Sequence, residues 1–382
     1  MQESRSFLFA RLTLNRLVLV GVALVVSGGC DSNALSDSVT LMSLPAGARL
    51  PHAAVDDNGT VHAVYFEGEE RAGDLFYVSR TFGESTWSTP QRVNSEPETV
   101  VGIGPIDGGQ IAVGKDGRIH VVWFKLGRTD FLYTRSMETG KGFEPQFALA
   151  AGEGVEAGPS VAADDSGNVY VFWHTGAPPD AERAVYMAVS HDDGRIFEPA
   201  RQVNDVSAGT CDCCGLRALA GVDGNVHVSY RGAGGNVNRG QRLLTSRDAG
   251  LTFSDELIDP WEINACPIST TDLASGPGGA TVAWETAGQV FFGRADSLKS
   301  ITTAVGTAEA RRKNPAIAVN NRGETLLAWG DGYGWQSGGV FHWQLYSESG
   351  EPMTESGSGP EIPEGSRPSL VSEQDGTFLV VF

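Results

Sequence analysis

Apolar residues in this chain fall into short runs that alternate with polar ones or close on an aromatic, and no segment sustains the 3.6-residue period of a helix. One phrase recurs: a Pro or small residue, a short apolar strand, a turn ending in Gly, then an alternating strand that ends on an aromatic. The copies turn at Asp56–Gly59, Asp116-Gly117, Asp164–Gly167, Asp223-Gly224, Gly278-Gly279, Asn321–Gly323 and Asp375-Gly376. They close on Tyr65, Trp123, Trp173, Tyr230, Trp284, Trp329 and Phe382, a step of 45 to 58 residues. Gly and Asx tolerate the positive φ of tight hairpin turns, so each copy is predicted to be a hairpin. One or two further strand-like runs, such as Leu75 to Ser79 and Gln91 to Asn94, lie between hairpins. Repeats of this kind predict an all-β propeller with three to four antiparallel strands per blade and very little helix. Seven hairpins predict seven blades; six stay open if the terminal hairpin packs differently. The last copy stops at its second strand, and Ser38 to Ser43 is the segment expected to pair there and close the ring.

The first thirty residues read as an export signal instead. Arg5, Arg11 and Arg16 precede an apolar run from Leu17 to Val26, which is too short to span a bilayer but suits a signal peptide. Ser27-Gly28-Gly29-Cys30 resembles a lipobox, with Ser27 where a large aliphatic residue is usual. The implied organisation is a signal peptide over 1–29, a tether and ring-closing strand over 30–48, and a propeller over 49–382. Lipidated Cys30 would anchor the protein in the bacterial cell envelope, on the periplasmic or outer surface; ordinary secretion with Cys30 incidental is the alternative. The formal charge of −19 falls to about −21 once Glu3 and the three arginines are removed, which argues against nucleic acid and against adhesion to anionic lipid. A monomer is expected.

A second phrase is in phase with the hairpins. Ser190, Asp192, Gly194 and Phe197, and again Ser246, Asp248, Gly250 and Phe253, fit Ser-x-Asp-x-Gly-x-x-aromatic. This resembles the Asp box, or BNR repeat, of the sialidase superfamily; Ser79 to Trp87 and Thr134 to Phe143 are degenerate copies. In that family the Asp caps backbone N–H groups of a turn on the face opposite the active site, so the box is structural. The other face is then built from loops entering each first strand and leaving each second strand.

The resemblance implies a carboxylate-binding arginine triad, an Asp acid/base and a Tyr–Glu nucleophile, since guanidinium forks pair bidentately with a carboxylate. Arg49-Leu50-Pro51 is similar to the Arg-Ile-Pro that supplies the first arginine, and Asp74 stands about where the acid/base stands. Arg217, Arg312 and Arg367 each precede or begin a first strand and are candidates to complete the triad. Tyr333 is a candidate nucleophile by location alone, and no Glu pairs with it. Arg-Leu-Pro is also the repeat phrase of this chain, as Lys313-Asn-Pro315 and Arg367-Pro368 show.

Cys211, Cys213 and Cys214 enter the fourth unit and Cys266 the fifth, so neighbouring blades bring them to one face. The combination is similar to that of a group of bacterial BNR-repeat lipoproteins. An exported compartment and an even count predict two disulfides, although three cysteines within four positions pair awkwardly. A thiolate site for Zn or Cu is the alternative. The sequence thus supports an envelope-anchored, sialidase-like propeller that binds a glycan or protein ligand on its loop face without catalysis. Exo-sialidase or related glycosidase activity and thiolate metal binding are the alternatives.

Overall fold

A computed structural model describes residues 38–125, 130–137, 142–151, 158–221, 224–298, 300–306, 311–332 and 338–382. Cys30 and Tyr333 lie outside the described residues. The rest form seven sheets, the blades of a propeller, six of them with four antiparallel strands. Blade 1 comprises Arg49–Val55, Val61–Glu69, Ala72–Arg80 and Gln91–Arg92; blade 2 comprises Gly109–Val113, Ile119–Phe124, Asp130–Arg135 and Phe147–Ala151. Blade 3 comprises Ser160–Ala163, Val169–Thr175, Ala184–Ser190 and Arg201–Gln202; blade 4 comprises Arg217–Ala220, Val226–Arg231, Gln241–Ser246 and Ser254–Asp259. Blade 5 comprises Thr271–Gly276, Gly279–Thr286, Gln289–Arg294 and Ile301–Thr303; blade 6 comprises Arg312–Val319, Thr325–Asp331, Gly339–Tyr346 and Pro352–Ile362. Blade 7 holds Ser369–Ser372 and Phe378–Val381, and Val39–Met42 joins as its third strand, parallel to Phe378–Val381. The ring is therefore seven-bladed and closed by the segment expected from the sequence. Three short 3₁₀ turns are the only helical pieces among the described residues.

The middle strands read as continuous apolar runs because both of their faces are buried. In blade 2, Ile119, Val121 and Trp123 point to the seam with blade 1, while Val122 and Phe124 point to the seam with blade 3. In blade 3, Val169, Val171 and Trp173 face back and Tyr170 and Phe172 face forward. Alternate residues of one strand thus feed two cores. The apolar interior is divided accordingly into seven layers, one per seam. The thinnest lies between blades 4 and 5, with Leu243, Ile258, Val282 and Trp284 as its buried members.

The two Ser-x-Asp-x-Gly phrases form matching turns. Asp192 Oδ1 accepts from the Ile196 and Arg195 amides at 2.9 and 3.2 Å, and Gly194 N donates to Ser190 Oγ at 3.0 Å. Asp248 Oδ1 accepts from Thr252 N at 2.9 Å and Gly250 N donates to Ser246 Oγ at 2.8 Å. Gly194 is needed twice over: its φ is +78°, and a Cβ there would fall 1.8 Å from the Tyr133 hydroxyl of blade 2. Phe197 packs edge-on against the same Tyr133, and Phe253 against Phe172. The Thr252 hydroxyl and amide, with Ser246, hold the Asp248 carboxyl down at about 2. A depressed carboxyl stabilises the fold above the unfolded value of 3.8 and loses that contribution as pH falls towards 2. Carboxyl NMR should find Asp248 titrating near 2, and Thr252→Val should move it up towards 3.8; a midpoint unmoved by Thr252→Val would contradict the hydrogen-bond assignment.

Candidate functional site on the loop face

The seven first strands surround a channel of about 300 Å³. Each inner strand is a sheet edge whose N–H groups have no partner strand, and such groups need acceptors. Side chains at the loop-face end supply them across seams. Ile111 N donates to His52 Nδ1 (3.0 Å), Ala218 N to Ser160 Oγ (3.0 Å), Ile317 N to Asp272 Oδ2 (3.0 Å) and Ala53 N to Ser369 Oγ (3.0 Å). These bonds stitch blades 1 to 2, 3 to 4, 5 to 6 and 7 to 1. At the seam between blades 4 and 5 an ion pair takes their place, with Arg217 Nε 3.5 Å from Asp272 Oδ1. Burial, and then Arg217, hold His52 well below the usual imidazole range; since its Nδ1 accepts a hydrogen bond, it is the neutral tautomer with hydrogen on Nε2. Burial pushes the Asp272 carboxyl up and Arg217 opposes that shift.

The mouth of the channel on this face is covered by the chain itself. Residues 101–110 are buried except for half-buried Ile103. Asp107 Oδ2 holds the turn by accepting from the Ile103 and Gly104 amides at 3.1 and 3.0 Å. A Cβ on Gly158 of the loop entering blade 3 would come 2.1 Å from the Ile106 carbonyl oxygen, and one on Gly365 before blade 7 would come 2.7 Å from that of Ile103. The segment also touches Leu50 of blade 1 and the Gly215 region before blade 4. It thus reaches residues of blade 1 and the loops that enter blades 3, 4 and 7.

The sequence-predicted site residues are engaged separately, most of them within their own blades. Arg49 donates to the Gly68 carbonyl at 3.2 Å and lies over the Phe66 ring at 5.1 Å. Asp74 sits inside the strand Ala72–Arg80, not in a loop, and accepts from Asn94 Nδ2 at 2.6 Å and Glu98 N at 2.7 Å. Arg312 donates to the Ala304 and Val305 carbonyls at 2.9 and 2.6 Å, lies 3.6 Å from Asp331 and stacks on Trp329. Arg367 is buried, with no hydrogen-bond partner for its Nε among the described residues. Of these, Arg217 alone meets other ionisable groups at the channel mouth. Sequence reasoning passed over His52 and Asp272 as partners of Arg217, although all three occupy the same place in the repeat phrase.

The cysteines do meet, but not as two disulfides. Cys213 and Cys266 are bonded, joining the loops that enter blades 4 and 5 across the thinnest seam, and Cys211 and Cys214 are free and buried. Cys211 Sγ lies 3.0 Å from Cys214 Sγ and 3.3 Å from Cys213 Sγ. Burial works to raise the Cys214 thiol, yet hydrogen bonds from Cys211 and the Ser269 amide, with Arg231 and Lys313 nearby, bring it below the ordinary range; Cys211, its hydrogen-bond partner, is pushed up. Around them Arg231 donates to the Arg239 and Glu285 carbonyls, Lys313 Nζ lies 2.9 Å from Glu285 Oε2, and Arg183 pairs with Asp212.

Beside this cluster, at the outer edge of blade 4, a cleft of about 400 Å³ is lined by Ser207, Asn238, Arg242, Leu257, Trp261 and Glu262. Arg231 backs the Trp261 ring at 5.3 Å, and Arg242 Nε is neutralised by Asp255 at 2.9 Å. A larger hollow of about 680 Å³ lies on the opposite face between the turns of blades 1 and 2. Its polar groups serve the fold: Asp56 caps the Asn58 and Thr60 amides, His62 bonds Tyr77, and Arg118 pairs with Asp193.

No family model matches this chain, and no curated protein is found similar to it. Solved structures do resemble it. An α-L-arabinanase of Penicillium chrysogenum, complexed with arabinobiose, is 15% identical over 77% of this chain and 91% of its own, with a TM-score of 0.51. An ulvan lyase described as a new family of polysaccharide lyase is 14% identical over 87% and 90%, at 0.52. A sialidase of Streptococcus pneumoniae is 11% identical over 74% and 65%, at 0.48. At these identities the likeness is one of fold.

Proposed function

We propose that this protein is an exported, lipid-anchored propeller that binds a neutral glycan in the Trp261 cleft of its loop face and performs no chemistry on it. The cleft carries the reading. An aromatic face beside a few polar groups in a concave site is what a sugar ring requires, with its C–H surface stacked and its hydroxyls hydrogen-bonded. A neutral ligand follows from Arg242 being neutralised by Asp255 while Glu262 remains in the wall. The arabinanase and the lyase, which share the fold, are proteins of carbohydrate chemistry, and this favours a glycan over a protein ligand. The non-catalytic half rests on the engaged state of Asp74, Arg217 and Arg312 and on the covered channel mouth. Anchoring through Cys30, the Asp-box identity of the two Ser-x-Asp-x-Gly turns and a monomeric state complete the reading.

Calorimetry against neutral and acidic oligosaccharides tests it. One or more neutral glycans should bind, and Trp261→Ala should weaken them roughly tenfold, about 1.4 kcal/mol. Hydrolysis of a fluorogenic sialoside or neutral glycoside, abolished by both Arg49→Ala and Asp74→Ala, would replace this reading with the glycosidase one.

A further inference from the structure

We propose that the cysteine cluster is a redox-gated site for Cu(I), completed when a thiol reductant opens the Cys213–Cys266 disulfide. The Sγ atoms of Cys211, Cys213 and Cys214 all lie within 4.8 Å of one another. Three thiolates at about 2.3 Å from one ion stand roughly 4 Å apart, so Cys211, now 3.0 and 3.3 Å from the other two sulfurs, has to draw back by about 1 Å to admit it. In the oxidised form Cys213 is bonded to Cys266, which is exposed and is not one of the three. The two remaining sulfurs are only 3.0 Å apart, too close to flank an ion from opposite sides at that bond length, a span of roughly 4.6 Å.

The surroundings suit the loaded form. Three thiolates and one Cu(I) carry a net charge of −2, and buried Arg231, with Lys313, stands beside them. The Ser269 amide already donates to Cys214 Sγ at 3.4 Å. The set contains sulfur alone, with no imidazole or carboxylate, and soft thiolate ligands select Cu(I). Zn would want a fourth ligand.

Gating follows from exposure. A thiolate of a low-molecular-weight thiol or dithiol attacks Cys266 Sγ, forming a mixed disulfide and expelling the Cys213 thiolate. A second thiolate attacks the reductant's sulfur, releasing Cys266 and leaving the reductant as its own disulfide. Two electrons pass to the protein, and Cys213 joins the two buried thiols.

Anaerobic competition for Cu(I) with bathocuproine disulfonate decides the matter. The oxidised protein should leave the metal on the competitor. Protein reduced and freed of reductant should withdraw one equivalent. Cys266→Ser, in which Cys213 loses Cys266 as its disulfide partner, should withdraw one equivalent without any reductant when purified anaerobically, and adding Cys211→Ser should weaken that binding at least 100-fold. Failure of the reduced wild-type protein to withdraw Cu(I) overturns the proposal even if the variant does not fold. Equal binding with and without Cys211→Ser, or by the oxidised protein, overturns it as well.

Discussion

Deleting residues 38–44 is expected to cost roughly 3–6 kcal/mol of stability. Val39 and Leu44 are buried between blades 6, 7 and 1, and removing a fully buried aliphatic side chain costs about 1.5–3 kcal/mol. The deletion also removes the backbone bonds Phe378 N to Ser38 O, Phe382 N to Met42 O and Leu44 N to Phe382 O. It leaves Phe378–Val381 as an open apolar edge that invites association between molecules. Urea unfolding followed by tryptophan emission measures the loss, with light scattering as a check on aggregation. Leu41→Ala is the control, because that side chain on the same strand points to solvent and should change little. A truncated protein with the parent's urea midpoint would mean that the strand does not close the ring.

Acid should unfold the protein well before its carboxylates are protonated. His120 and His174 are fully buried and both are held at about 3, chiefly by desolvation and then by arginines: Arg135 and Arg118 beside His120, Arg183 beside His174. His120 Nδ1 also bonds the Tyr133 hydroxyl at 2.7 Å. The Asp193 carboxylate, 3.6 Å from His120 Nε2, would favour the charged ring, but Arg118 and Arg135 already engage it. For a base depressed in the folded state, the unfolded chain takes up the proton first. The stabilising effect is therefore complete above 6.5 and is lost as pH falls towards 3. Each histidine costs about 1.4 kcal/mol per pH unit in that window, so the pair should remove roughly 5 kcal/mol between pH 7 and pH 4.5. His174→Gln should lower the slope by about 1.4 kcal/mol per pH unit at little cost, since neither ring nitrogen of His174 has a hydrogen-bond partner among the described residues. A urea midpoint that is flat from pH 7 to 4.5 would mean that both rings are already protonated in the folded protein.

The repeat was legible because propeller seams impose it. A middle strand buried on both faces must be apolar throughout and end on something large, so Trp123, Trp173, Trp284 and Trp329 mark their blades even where the fifth copy is weak. Closure by Ser38 to Ser43 could be argued from the missing strand alone. The mouth of the channel could not. Residues 101–108 have no period, and irregular chain of this kind ordinarily runs over a surface; here its own Asp107 and the Glu70 carbonyl of blade 1 accept from its amides. The arginines misled for a related reason. Position in the repeat predicts which loop a guanidinium occupies but not which carbonyl captures it, and Arg312 turns to Ala304 and Val305, just past the outer strand of blade 5. For the cysteines, sequence indicated proximity, while the choice of partner was a matter of ångströms.

The stitches at the channel mouth alternate, and because seven is odd the alternation meets itself once, at blade 1, which is tied on both sides. One of those ties, Ala53 to Ser369, spans 316 residues of sequence, whereas the others span roughly the length of a repeat. Six joints reform after a fluctuation at the high effective concentration set by a short connecting loop. The seventh must be found again by two ends of a long chain, and the entropy of that search grows with the logarithm of the loop it closes. The persistence of the whole ring is thus set at one joint, where a parallel strand, Ser366 bonded to the Leu50 amide, and the ion pair between Arg80 and Glu373 are added to the stitch.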